Sequence, residues 1–203
     1  MQGHYRPDSS IAPLTRAFYG RNTVKVAREL LGKILVRELG AVRLEGIIVE
    51  TEAYRGADDP ASHAYRGLTR RNEVMFGEPG HAYVYFTYGM HYCLNVTTES
   101  VGQAGAVLLR AVQPIKGIAE MKKCRRKEHI RDLSNGPAKL TQAFAVTKAL
   151  NGHDLTFGEK LCIAEPSRPE PFKVRTGTRI GVRVGGKKPW RFFVRDSPYV
   201  SRQ

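Results

Sequence analysis

Cysteine is scarce in this sequence. Its three copies, Cys93, Cys124 and Cys162, are odd in number and far apart. That pattern excludes a disulfide framework and a Cys-x-x-Cys metal pair, and it suits a reducing compartment where free cysteine packs as a small hydrophobe. Long apolar runs are missing as well. No stretch of about 18 apolar residues exists, and the first thirty residues lack the basic, apolar and small-residue order of a secretion signal. A cytoplasmic protein without a membrane partner is expected. The six histidines form no His-x-His or His-Glu-x-x-His pair, so the spacing of a histidine metal site is absent. Acid is in short supply too: nineteen Asp and Glu stand against thirty-three Lys and Arg, a formal charge of +14. Such a field concentrates polyanions, and nucleic acid is the partner it implies.

What is present describes a folded chain. Of the 203 residues, 41% are hydrophobic and 26% charged, outside the disordered and collagen-like ranges. The length suits a single domain over 1–203, with flexible ends at 1–13 and 202–203, burying roughly 70% of its unfolded surface. Thr23 reads as the N-cap of a helix over 24–31 that Gly32 ends. Alternating β-branched residues place strands at 33–39 and 41–54, and residues 55–80 form a polar loop long enough to signal function. Residues 81–86 and 91–97 form a hairpin around Thr87-Tyr88-Gly89-Met90, with Gly89 supplying the positive φ. A strand over 105–112 carries one charge, Arg110, and Pro114 closes it. Residues 115–131 hold seven Lys or Arg and read as an exposed basic helix. Ser134 and Pro137 open a helix reaching Leu150, and strands follow at 161–164, 179–184 and 190–195.

Chemistry concentrates in Val49-Glu50-Thr51-Glu52-Ala53-Tyr54, where a period of two puts two carboxylates and a phenol on one face. Arg110 is the cation suited to keep one glutamate ionised as a general base. Glu50, Glu52, Asp58 and Asp59 also offer a magnesium site of a nuclease, although Asp58-Asp59-Pro60 is an ordinary turn sequence. On the hairpin, Tyr83 and Tyr85 share a face able to stack on a flat ring, while Tyr88 and Met90 stand at the tip. A basic protein with such a hairpin has the means to unstack a base step and hold an extruded base. Composition alone favours a nonenzymatic nucleic-acid-binding module.

The ordered motifs Val49-Glu50-Thr51-Glu52-Ala53-Tyr54, His63, Tyr83-Val84-Tyr85-x-x-Tyr88-Gly89-Met90, Asn95, Val107-Leu108-Leu109-Arg110-Ala111, Asn135-Gly136-Pro137-x-Lys139-Leu140 and Arg195-x-Ser197-Pro198-x-Val200-Ser201 resemble the alkyladenine DNA glycosylases, the 3-methyladenine DNA glycosylases of mammalian type. The likeness runs from about Leu14 to Ser201. It implies an α+β fold: a single mixed domain whose curved, largely antiparallel sheet carries a protruding hairpin among surrounding helices. It implies a monofunctional base-excision enzyme, a compact and bacterial one, that binds double-stranded DNA as a monomer without cofactor or metal. Such an enzyme flips alkylated or deaminated purines and leaves an abasic site. Glu52 matches the general base, with Arg110 and the Ile180 carbonyl completing the water's site. Tyr54 and Tyr85 match the stacking walls, His63 the residue near base and sugar, and Tyr83 a supporting wall. Asn95 matches the side chain that excludes normal guanine, Tyr88 the wedge filling the vacated stack, and Met90 its neighbour in the minor groove.

Overall fold

The computed structural model describes residues 12–87 and 89–201. Among these residues eight strands, all antiparallel, form one curled sheet in the order β3-β4-β5-β2-β1-β6, with β8 pairing β2 and β7. They are β1 (Ile34–Leu39), β2 (Val42–Arg55), β3 (Ala82–Thr87), β4 (His91–Thr98), β5 (Gly105–Lys116), β6 (Leu161–Ala164), β7 (Val174–Gly177) and β8 (Arg191–Val194). Helices α1 (Arg16–Tyr19), α2 (Thr23–Glu29), α3 (Ile118–Arg125) and α4 (Pro137–Ala143) surround the sheet, giving the expected α+β domain. The core lies between sheet and helices, where Leu30, Leu44, Ile48, Leu109, Met121 and Phe144 are closed to solvent or nearly so. No helix among the described residues is long and apolar enough to cross a membrane.

Strand β2 is the spine. Its first half pairs with β1, its second half with β8, and β5 runs along the other edge. The register shifts twice around Glu50: Ile48 faces Val112, Glu50 faces Ala111 and Thr51 faces Leu109. Val49 is therefore the extra residue of β2 and Arg110 that of β5. Bulges of this kind re-aim side chains, and this pair turns the Arg110 guanidinium toward the glutamates of β2.

Several local expectations are corrected. The cap of α2 is Asn22, whose side chain accepts from the Val24 and Lys25 amides, while the Thr23 hydroxyl is drawn to Glu99. Pro114 does not close β5. It pairs opposite Gly46 beside a register shift, an irregular place where proline's missing N–H does little harm. The basic helix shrinks to Ile118–Arg125, because only Met121 is buried and five of residues 122–127 are cations that repel one another. Ser134 caps nothing, since its hydroxyl donates to the Val112 carbonyl. Helix α4 stops at Ala143, ahead of Ala145 in the left-handed region, and a 3₁₀ turn covers Lys148–Leu150. Residues 179–184 are irregular rather than a strand, and β7 arises where none was expected. The expected flexible ends fall outside the described residues except at Ala12 and Pro13, and Pro13 is bridged to Ala164.

Candidate active site

One row of paired residues crosses five strands: Tyr83, Asn95, Leu108, Glu52 and Arg191. Directly paired residues project from the same face of a sheet, so the row brings the β2 carboxylate and the β3 tyrosine to one concave surface. A cavity of about 480 Å³ opens there, lined by Tyr54, His63, Tyr83, Tyr85, Asn95, Arg110, Ile180 and neighbouring residues. The long loop after β2 supplies part of its rim through Pro60, Ala61 and His63.

Glu52 is fully buried and sits beneath the floor of that cavity. Its Oε1 accepts the Ile180 amide N–H at 2.7 Å. Its Oε2 accepts the Tyr54 hydroxyl at 2.8 Å and faces Arg110 Nη1 at 3.2 Å. All three partners line the cavity. Ile180 thus meets Glu52 through its amide. Glu50, equally buried, serves a different end. It accepts from Arg110 Nε at 3.0 Å, Arg191 Nε at 2.7 Å and both the amide and hydroxyl of Ser201. Burial alone would weaken the hold of Arg110 on its proton, but Glu52 and Glu50 more than offset this and raise its pKa above the ordinary value.

Tyr54 forms one wall. Burial first, and then the Glu52 carboxylate, raise its phenol far above the usual range. Tyr83 and Tyr85 stand two residues apart on β3 with ring centroids 5.4 Å apart. His63 meets the Tyr85 ring edge-on at 4.6 Å and shares a 2.8 Å hydrogen bond with the Tyr83 hydroxyl. Although His63 stands at the open rim, partial burial and then the Arg71 charge push its imidazole down to about 4. The Asn95 side-chain amide donates to the Tyr83 carbonyl at 3.1 Å. Met90 is 70% exposed beyond β3, next to Gly89 with its φ of +67°. Tyr88 lies outside the described residues.

The four acids weighed as a nuclease site are each paired with arginine, Glu50 and Glu52 sharing Arg110. Glu50 is held by Arg110 and Arg191, Asp58 pairs with Arg55, and Asp59 pairs with Arg179. Among the described residues no group of three or more His, Cys, Asp or Glu is placed to hold a metal ion. Cys93, Cys124 and Cys162 are free, and Cys93 lines the cavity with its thiol raised by burial. Sequence reasoning missed Met75 on the cavity wall, Arg191 and Ser201 around Glu50, and the Arg179–Asp59 pair. Ser201 belonged to a quoted motif and Asp59 was marked as a turn residue and metal candidate; nothing local marked the others.

A family model described as methylpurine-DNA glycosylase matches residues 17–198. A protein of Carboxydothermus hydrogenoformans is 54% identical over 192 residues, 94% of this chain and 99% of its own. One of Methanocella arvoryzae is 48% identical over 196 residues, covering 94% and 96%. One of Streptomyces avermitilis is 47% identical over 194 residues, covering 93% and 91%. Each carries the provisional name 3-methyladenine DNA glycosylase.

Proposed function

Because this chain belongs to the methylpurine-DNA glycosylase family and is accordingly a DNA N-glycosylase, we propose that it excises flipped, damaged purines by a water that Glu52 activates. The nonenzymatic alternative falls with that membership. The purine, alkylated as in 3-methyladenine, 7-methylguanine or ethenoadenine, or deaminated as in hypoxanthine, leaves the duplex and slides between Tyr54 and Tyr85. Stacking worth about 1–3 kcal/mol per base offsets much of the cost of unpairing, which is least for lesions that pair poorly. Tyr88 and Met90 fill the gap left in the helix.

A water enters at the seam between Arg110 and Ile180. Its oxygen bonds to C1′ as the N-glycosidic bond breaks, the bonding pair departs with the purine, and Glu52 takes the proton. The sugar's developing positive charge is stabilised by the same carboxylate. No Schiff-base step is involved, so the products are free base and an intact strand with an abasic site. The DNA partner is met by one copy of this chain.

The observation that carries this reading is Glu52 itself: a buried carboxylate held by Arg110, Tyr54 and an amide directly behind the cavity's lining. The experiment is incubation with duplexes carrying one hypoxanthine, ethenoadenine or alkylated purine, followed by hot alkali and strand analysis. Strand breaks are expected only after alkali, unchanged in EDTA, and the Glu52→Gln protein should bind the lesion without releasing it. Released purine at the wild-type rate from Glu52→Gln would overturn the mechanism.

A further inference from the structure

Arg179 has no exposed side-chain surface, and neither has its partner Asp59. Its Nη1 donates to Asp59 Oδ2 at 2.6 Å and its Nη2 to Oδ1 at 2.7 Å, the two-pronged arrangement that fixes a guanidinium in orientation as well as position. Two further contacts go to backbone: Nη1 to the Ala53 carbonyl of β2 at 2.9 Å, and Nη2 to the Gly185 carbonyl at 3.0 Å. Asp59 also accepts the amides of Arg55 and Ala61. Above the guanidinium lie two rings, Tyr54 with its centroid at 4.7 Å and Trp190 at 5.3 Å.

The location gives this cluster a role. Residues 180–184 line the cavity without belonging to a helix or strand, so no ladder of backbone bonds holds them. Arg179 begins that wall and reaches across to its far end at Gly185. One guanidinium therefore closes the wall on itself, ties it to β2 and ties it to the loop after β2. The next residue, Ile180, places its N–H on Glu52. Arg179 itself is absent from the cavity lining while Tyr54 is part of it, so the cation lies on the side of the Tyr54 ring away from the base.

Resting on the glycosylase reading above, we propose that Arg179 and Asp59 are positioning residues that hold the wall 180–184 against Glu52 and so govern how readily that carboxylate takes a proton from water. An N–H bonded to a carboxylate, and a cation near it, both favour the ionised form. Slackening the clasp removes the first and displaces the second. The other groups around Glu52 are Arg110 on β5, Tyr54 and Glu50 on β2, Arg191 on β8 and the Cys93 thiol on β4, each carried by a strand of the sheet, although the Tyr54 ring lies against the Arg179 guanidinium. A change in the pH profile of excision then reports on the clasp.

The test compares wild type, Arg179→Lys, Asp59→Asn and the doubly neutral Asp59→Asn/Arg179→Gln protein in single-turnover excision from a hypoxanthine duplex across pH, at a temperature where circular dichroism shows each folded. The doubly neutral protein loses the clasp without leaving a buried unpaired charge, so it carries the test if either single variant does not fold. The expected result is a rate lower by about tenfold, an acid limb moved up by about half to one pH unit, and lesion affinity changed by less than about twofold. An acid limb coinciding with wild type in the folded variants overturns the proposal and leaves the pair as a brace for stability alone. Glu52→Gln in the same series separates the two readings. Undiminished activity there overturns the mechanism and the clasp together, whereas an inactive Glu52→Gln beside an unmoved limb overturns only the clasp.

Discussion

The Tyr54 hydroxyl donates to the Glu52 carboxylate at 2.8 Å, two residues along the same strand. The proposed stacking wall and the proposed base are thereby one hydrogen-bonded unit, so a purine pressing on that ring would also bear on the carboxylate. Tyr54→Phe keeps the ring and removes the donor. A hydrogen bond to a charged group is worth about 1.5–3 kcal/mol, so excision should slow by about tenfold or more while lesion affinity holds. Single-turnover rates and filter binding check both. An unchanged rate would show that the bond does nothing for the reaction.

His63 should remain neutral well below the usual histidine range. Its imidazole titrates near 4 in the folded protein against 6.5 ordinarily, so between those values the unfolded chain binds the additional proton. Stability from this group is complete above about pH 6.5 and is lost as pH falls through about 4. The ring's place at the rim lets solvent screen the effect and keeps it small. Proton NMR of the ring, assigned with a His63→Gln control, should give a midpoint near 4; a midpoint near 6.5 would contradict the packing of His63 against Tyr83, Tyr85 and Arg71.

Asp59→Ala should destabilise the protein by about 3–5 kcal/mol, because it leaves the Arg179 guanidinium buried without its counter-charge. Urea unfolding followed by circular dichroism measures the loss. A cost under about 1 kcal/mol, the ordinary worth of an exposed ion pair, would mean that water reaches Arg179 in the variant.

DNA affinity should fall steeply with salt. The formal charge of +14 and a footprint neutralising about five phosphates give a log–log slope of about −4 to −5. Titrations of an undamaged duplex between low and moderate salt measure it, and a flat response would remove charge as the source of affinity.

How much of this was legible beforehand depends on distance along the chain. The β3–β4 hairpin and the spine strand were readable because alternation and turn chemistry are local signals. The approach of Arg110 to the glutamates followed from chemistry, but the paired bulges that accomplish it left no trace in residue type. Residues 179–184 show the opposite failure. Alternating Ile180, Val182 and Val184 imitate a strand, yet Gly181 takes a left-handed φ of +76° and the segment is anchored through a side chain. The Arg179–Asp59 pair spans 120 positions, a separation at which a turn-forming aspartate and a surface-looking arginine advertise nothing of each other.

Ser201 meets Glu50 across 151 positions, and Arg191 does so across 141. Arg110 on β5 is nearer in sequence, 60 positions from Glu50. Without those two partners Glu50 would depend on Arg110, and that arginine is divided between two acids. The carboxylate pair is thus completed by residues remote in sequence, and a truncation before β8 would leave both acids leaning on a single guanidinium.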